Sequence, residues 1–195
     1  MDFTFFITNL IRVIVVIMTA IKVFKRDFKK LGFAAVSIAL SFVPWLFGLI
    51  DINVDMLTKS IYQIFIFMAV FLGQGYRYYD LYSWWDRVIH LLSGVVFSGF
   101  AVAFAEKEND ISLAGTLIFA FVLSLALHEI WEVLEFAVDS IFKTDHQHWQ
   151  KNSKVLNHQP KKAIQPPGLV DTMSDSIFNI IGTAVACAGW WVYLA

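Results

Sequence analysis

The chain has 195 residues, 58% of them apolar and 16% charged, with 15 Lys and Arg against 16 Asp and Glu for a net charge of −1. Together with a positive mean hydropathy, this composition excludes an ordinary soluble domain, and the near-neutral balance offers no basic face for nucleic acid. The lone Cys187 excludes an internal disulfide and a cysteine-built metal site.

A helix needs roughly 17–25 mostly apolar residues to cross the hydrocarbon of a bilayer. Six stretches qualify: 3–23, 33–50, 59–76, 84–105, 111–138 and 169–194. Lipid offers no partners for open backbone groups, and no period-two alternation points to a barrel, so all six read as helices. The first stretch has no small-x-small cleavage site after it and no basic run before it, so it reads as a retained span rather than a signal peptide. Arg12, midway along it, is expected to pair or to snorkel toward an interface. The expectation is an all-α, polytopic membrane protein: a single six-helix domain over 1–195, in which 139–168 forms one polar loop.

Short cytoplasmic loops are enriched in Lys and Arg, which sets the orientation. Lys22, Lys25, Arg26, Lys29 and Lys30 fill the first loop, and Arg77 and Arg87 flank the third. Lys143, Lys151, Lys154, Lys161 and Lys162 fill the fifth, whereas the second and fourth hold only Lys59 and Lys107. Odd loops, 139–168 included, are therefore expected in the cytoplasm of a plasma-membrane protein, with both termini on the other side.

Charged runs interrupt the last three spans: Trp85-Asp86-Arg87-Val88-Ile89-His90, then His128-Glu129-Ile130-Trp131-Glu132-Val133-Leu134-Glu135, then Asp171-Thr172-Met173-Ser174-Asp175. An ionised side chain at the centre of a spanning helix costs about 2.5–3.5 kcal/mol on insertion scales, so such residues mark function by default. All three runs fall in the predicted cytoplasmic half. Residues four apart share a helix face, which stacks Asp86 on His90 and continues Asp171 and Asp175 to Asn179. His128, Glu132, Glu135 and Asp139 form one stripe, Glu129 lies off it, and Ile130, Val133 and Ala137 lie opposite.

Asp86, Glu132, Glu135, Asp139, Asp171 and Asp175 make six carboxylates, near which the permanent cations are Arg77 and Arg87. So many like charges cannot all stay ionised and unpaired in a low dielectric; either several carry protons or a divalent cation neutralises them. Asp86, His90, His128, Glu132, Asp139, Asp171 and Asp175 are the expected metal ligands, with Zn²⁺ first and Mn²⁺, Fe²⁺ or Mg²⁺ as alternatives. Each part also has a plainer reading. Asp86 and His90 suit a hydrogen-bonded pair near the interface, Asp171 suits a helix N-cap, and Asn179 and Gly182 suit helix packing. His146, His148 and His158 read as solvated loop residues rather than ligands.

The order Trp85-Asp86-x-x-x-His90 with Ser93-Gly94, Trp131-Glu132-x-x-Glu135-Phe136-x-x-Asp139, then Gln165 and Gly168 before Asp171-Thr172-x-x-Asp175 with Gly182, resembles the YjdF-type family of bacterial and archaeal membrane proteins of unknown function. The resemblance implies a compact multi-helix membrane fold and marks Asp86, His90, Glu132, Glu135, Asp171 and Asp175 as the family's polar positions. It supplies no activity, and this chain departs from the pattern in its Lys- and His-rich fifth loop with Pro166-Pro167.

Two functions follow as expectations. One is a metal-dependent intramembrane hydrolase of a lipid-like substrate, with Glu135 as general base and Arg77 and Arg87 available to a phosphate. The other is a metal-ion or proton-coupled transporter using the same carboxylates; the crowding of polar groups into one half of the helices, and the lack of an inverted repeat, favour the first. A purely structural cluster is a third, costlier explanation. Membrane lipids are the expected surroundings; substrate and oligomeric state are left open.

Overall fold

The computed structural model describes residues 3–107, 111–147 and 165–195. Among these there is no strand, and six helical segments are long and apolar enough to cross a membrane. Helix α1 spans Phe3–Phe24, and a short 3₁₀ turn at Phe28–Lys30 leads into α2, Leu31–Leu40, and α3, Val43–Leu49. Helix α4, Met56–Ile66, runs on as a π-helix over Phe67–Gly75, and α5 is a single turn at Tyr78–Leu81. Helices α6, Trp85–Lys107, α7, Leu113–Phe142, and α8, Pro167–Leu194, complete the chain.

The ends alternate as six crossings require. Thr4 Oγ1 donates to the Met56 carbonyl at 3.1 Å and Lys107 Nζ to the Ile50 carbonyl at 2.7 Å, so the starts of α1 and α4 and the ends of α3 and α6 share one end of the bundle. Lys30 bonds the Gly75 carbonyl at the other end, where Gln147 also reaches Thr172 at 3.2 Å. The three charged runs of α6, α7 and α8 therefore sit at the end that carries the first, third and fifth loops.

Helices α6 and α8 pack most closely, followed by α6 with α7. Glycine allows it: a Cβ on Gly94 would strike the Asn179 carbonyl oxygen, and one on Gly182 the Leu91 carbonyl oxygen. Small residues are the usual means of bringing helices together in lipid, where no hydrophobic force drives them. Ser93, Ser98, Ser124, Asn179 and Thr183 are buried along the same seam, with Ser124 and Thr183 hydroxyls 2.8 Å apart.

The second span is not one helix. Pro44 has no N–H, so the Leu40 carbonyl loses its helical partner. Tyr62 of α4 replaces it, donating its hydroxyl to Leu40 at 2.9 Å. The freed Ser41 carbonyl accepts from Gln63 Nε2 at 3.0 Å and from Arg12 Nη2 at 3.4 Å, while Arg12 Nε donates to Ser41 Oγ at 2.8 Å. Arg12 thus pairs, with a helix break rather than a carboxylate, and lies 4.0 Å over the Phe42 ring.

Boundaries also shift. The third span starts at Met56 because Asp55 caps it, Oδ1 accepting from Leu57 and Thr58 N–H at 2.8 and 2.9 Å. Helix α7 runs to Phe142 before Lys143, at φ 57°, ends it. Helix α8 starts at Pro167, where a fixed φ suits the first turn, so Asp171 stands inside the helix rather than at its N-cap. His148, His158, Lys151, Lys154, Lys161 and Lys162 lie outside the described residues.

Candidate metal centre

Helix α6 carries Asp86 and His90 on one face, α7 carries His128 and Glu132 a turn apart, and α8 carries Asp175. The close α6–α8 crossing turns these faces toward one another. His90 Nε2 lies 3.4 Å from Asp86 Oδ1 and 3.9 Å from Asp175 Oδ2, and His128 Nε2 lies 3.7 Å from Glu132 Oε1. The His90 and His128 rings meet edge to face with centroids 5.1 Å apart.

Two trios result, His90/His128/Glu132 and Asp86/His90/Asp175, each with its donor atoms within 4.8 Å of one another. Charge-assisted hydrogen bonds close to about 2.7–2.9 Å, and these gaps are wider. Ligands about 2.0–2.2 Å from a tetrahedral zinc stand roughly 3.3–3.6 Å apart, which is nearer the spacing observed. His128, Glu132 and Asp175 are buried, and His128 Nε2 and Glu132 Oε1 have no hydrogen-bond partner among the described residues. A buried polar atom left so costs about 1–3 kcal/mol. Burial, donor type and spacing all fit a small divalent cation.

The remaining expected residues divide. Asp139 is buried but spends its oxygens on the turn after α7: Oδ1 accepts from Thr144 Oγ1 at 2.7 Å and from His146 N at 2.8 Å, and Oδ2 from Gln147 N at 2.9 Å. His146 Nδ1 also sits 2.8 Å from Asp139 Oδ1, so this histidine is tied to the turn rather than free in solvent. Neither Asp139 nor Asp171 joins a trio. Asn179 donates to Ser93 Oγ at 2.9 Å, and Ser93 donates to the His90 carbonyl at 2.7 Å, so Asn179 holds the α6 turn that presents His90. Glu129, off the stripe as expected, is exposed and accepts from Ser176 at 3.2 Å. Ile130 and Val133 face outward.

A cavity of about 540 Å³ opens beside the trios. Leu40, Phe65, Ile66, Ala69, Val70 and Phe97 form an apolar wall, and Asp86, His90, His128 and Glu135 a polar one. Glu135, half-buried, accepts from Trp131 Nε1 at 2.8 Å. Arg77, at φ 61° where the π-helix turns into α5, stands at the rim paired with Asp80 at 2.8 Å. Arg87 lies apart from the cavity, 5.9 Å over the Phe178 ring.

Tyr79 escaped the reading of the sequence. Its ring fills the space that a side chain on Gly73 would need, and it lines the cavity with Asp86 and Glu135. Burial pushes its phenol well above the usual range, and the charges of Asp86, Glu135 and Asp175 push it further, so Tyr79 keeps its proton. The available signal was Gly73 six residues before a tyrosine, at the end of the third apolar stretch.

A family model described as "Predicted membrane protein (DUF2238)" matches residues 7–195. An uncharacterized protein of Thermotoga maritima is 25% identical over 127 residues, which is 64% of this chain and 57% of that protein, so the chain spans little more than half the length of this curated relative. No solved structure matches the chain. The full-length family match and the six apolar helices agree with the motif order that first suggested a membrane family of unknown function, and the chain belongs to the DUF2238 family of predicted membrane proteins.

Proposed function

We propose that the chain is a divalent-metal-dependent hydrolase acting on a lipid-like substrate within the membrane. The observation that carries this reading is the facing pair of buried, unpartnered ligand atoms, His128 Nε2 and Glu132 Oε1, beside His90, with His90 and His128 on the polar wall of an amphipathic cavity. Two imidazoles and one carboxylate are a familiar catalytic zinc set that leaves a coordination position open. His90 belongs to both trios, so one ion in the His90/His128/Glu132 set, with Asp86 and Asp175 orienting His90, is the simpler arrangement.

A bound ion would lower the pKa of a water and polarise the bond under attack. The chain's own groups supply the rest. Glu135 lines the cavity within reach of Trp131 and is placed to accept a proton, and Tyr79 offers a phenolic proton donor on the same wall. The apolar wall from Leu40 to Phe97 takes a hydrocarbon chain and leaves the polar head against His90 and His128. Arg77 is the nearer cation for a phosphate-bearing head, although it shares its charge with Asp80.

The test is elemental analysis of purified protein together with turnover of ester and phosphoester lipids in a bilayer. Near-stoichiometric metal that His128→Ala removes, with Glu135→Gln retaining metal while losing about 100-fold or more in rate, supports the proposal. Wild-type protein without divalent metal would remove it.

One observation favours a second reading, a proton or metal-ion carrier. Buried Ser93, Asn179, Ser124 and Thr183 continue the polar seam away from the cluster. Those groups carry no charge and bond one another, which suits packing at least as well as conduction. Ion flux in proteoliposomes that Asp175→Asn abolishes would decide for the carrier.

A further inference from the structure

We propose a second ligand site, unconnected with the metal centre: the groove between α1, α3 and α4 lined by Arg12 and Lys59 binds the phosphodiester head of an anionic membrane lipid. The groove encloses about 660 Å³ in the half of the bundle that holds the start of α4. Arg12 and Lys59 are its cations, Thr4, Thr8, Ser41 and Gln63 its other polar residues, and no carboxylate lines it among the described residues.

The fold uses the Arg12 charge only in part: the guanidinium lies 4.0 Å over the Phe42 ring, and no acid pairs with it among the described residues. Arg12 uses Nε and Nη2 on Ser41, but the Ser41 carbonyl already accepts from Gln63, and a neutral donor would serve the hydroxyl equally well. Arg12 Nη1 makes no hydrogen bond among the described residues, and neither Arg12 nor Lys59 has an ion pair among them. The carboxylate nearest in sequence to Lys59, Asp55, gives Oδ1 to the start of α4 and lines a different cavity. Two cations lining one groove within the span of α1, α3 and α4, without an acid, call for an anion from outside the chain.

Geometry selects a lipid. Thr4, Thr8 and Arg12 recur every fourth residue, a polar track leading from the start of α1 down to the guanidinium. Phe42, Trp45 and Leu49 flank it and are 44%, 62% and 61% exposed, facing outward where acyl chains lie. A phosphodiester meets the planar guanidinium fork through two oxygens, with the Lys59 ammonium as a point charge above.

The test uses the full chain, purified and delipidated in neutral detergent, titrated with phosphatidylglycerol, with diacylglycerol, which keeps the chains but lacks the phosphate, and with glycerol 1-phosphate, which keeps the phosphate but lacks the chains. Native mass spectrometry reads occupancy. Phosphatidylglycerol should bind about tenfold or more tightly than either fragment, and Arg12→Gln or Lys59→Gln should each weaken it about five- to tenfold. His128→Ala should leave it unchanged, which separates this site from the metal centre. Lys59→Gln guards against misfolding, because that ammonium supports no fold contact among the described residues. Diacylglycerol binding as tightly as phosphatidylglycerol, glycerol 1-phosphate doing so, or unaltered binding by both cation variants would each overturn the proposal.

Discussion

The two halves of the bundle use buried polarity for different ends. In the α1–α4 half, a proline opens the second span and every freed carbonyl finds a donor: Leu40 from Tyr62, and Ser41 from Gln63 and Arg12. In the α6–α8 half the helices are unbroken, yet Trp85 Nε1, His128 Nε2, Glu132 Oε1 and Asn179 Oδ1 are left without partners among the described residues, against Thr19 Oγ1 and Asp55 Oδ2 in the other half; His128 Nε2 and Glu132 Oε1 face each other at 3.7 Å. A polar group that closes a gap in the backbone stabilises the fold by itself. Two open polar atoms of different residues that face each other across 3.7 Å, an imidazole nitrogen and a carboxylate oxygen, mark a candidate metal site in a way that a capped carbonyl does not.

The contrast can be broken most sharply at the proposed metal centre. His128→Ala or Glu132→Gln should abolish stoichiometric metal, whereas Tyr62→Phe should leave it untouched; metal contents that stay equal by elemental analysis would erase the distinction between the halves. Gly182→Leu comes next. Its side chain would drive into the Leu91 backbone, and an overpacked contact of that kind costs about 1–3 kcal/mol or more, read as a large fall in thermal midpoint in detergent. Asn179→Ala should act as an outer-shell change, weakening metal binding about 10- to 100-fold through Ser93 and His90, measured by competition with a chelator. Tyr62→Phe strips the Leu40 carbonyl of its donor and should cost about 1 kcal/mol without altering any ligand affinity. Arg77→Ala should be smallest, because its pair with Asp80 is exposed and such pairs contribute about 0–1 kcal/mol.

Composition and helical period were enough to read six spans and to place three charged runs at one end. Hydrophobic length and i, i+4 spacing are local properties, and the structure keeps them. What stayed hidden is not local. Pro44 announces a break, but nothing near it names Tyr62 and Gln63 as the groups that close it. Asp139 continues the stripe on α7 faultlessly, and only the turn from Lys143 to Gln147 diverts its oxygens from the residues of the candidate centre. Tyr79 reaches the cavity because Arg77 takes a left-handed conformation and Gly73 leaves room, two conditions that tyrosine's own position in the chain does not reveal. The two trios of the candidate centre were partly legible: Asp86 with His90, and His128 with Glu132, follow from helical spacing, whereas the approach of His90 to Asp175 depends on how α6 crosses α8.

That crossing has a mechanical result. Gly94 and Gly182 set main chain directly against main chain, a contact that cannot be squeezed further and that few side-chain motions can loosen. Asp86, His90 and Asp175 hang within a few turns of it, so the gap between them is held by the backbone frame and not by its contents. An ion held in that gap, as proposed, would be selected by its radius.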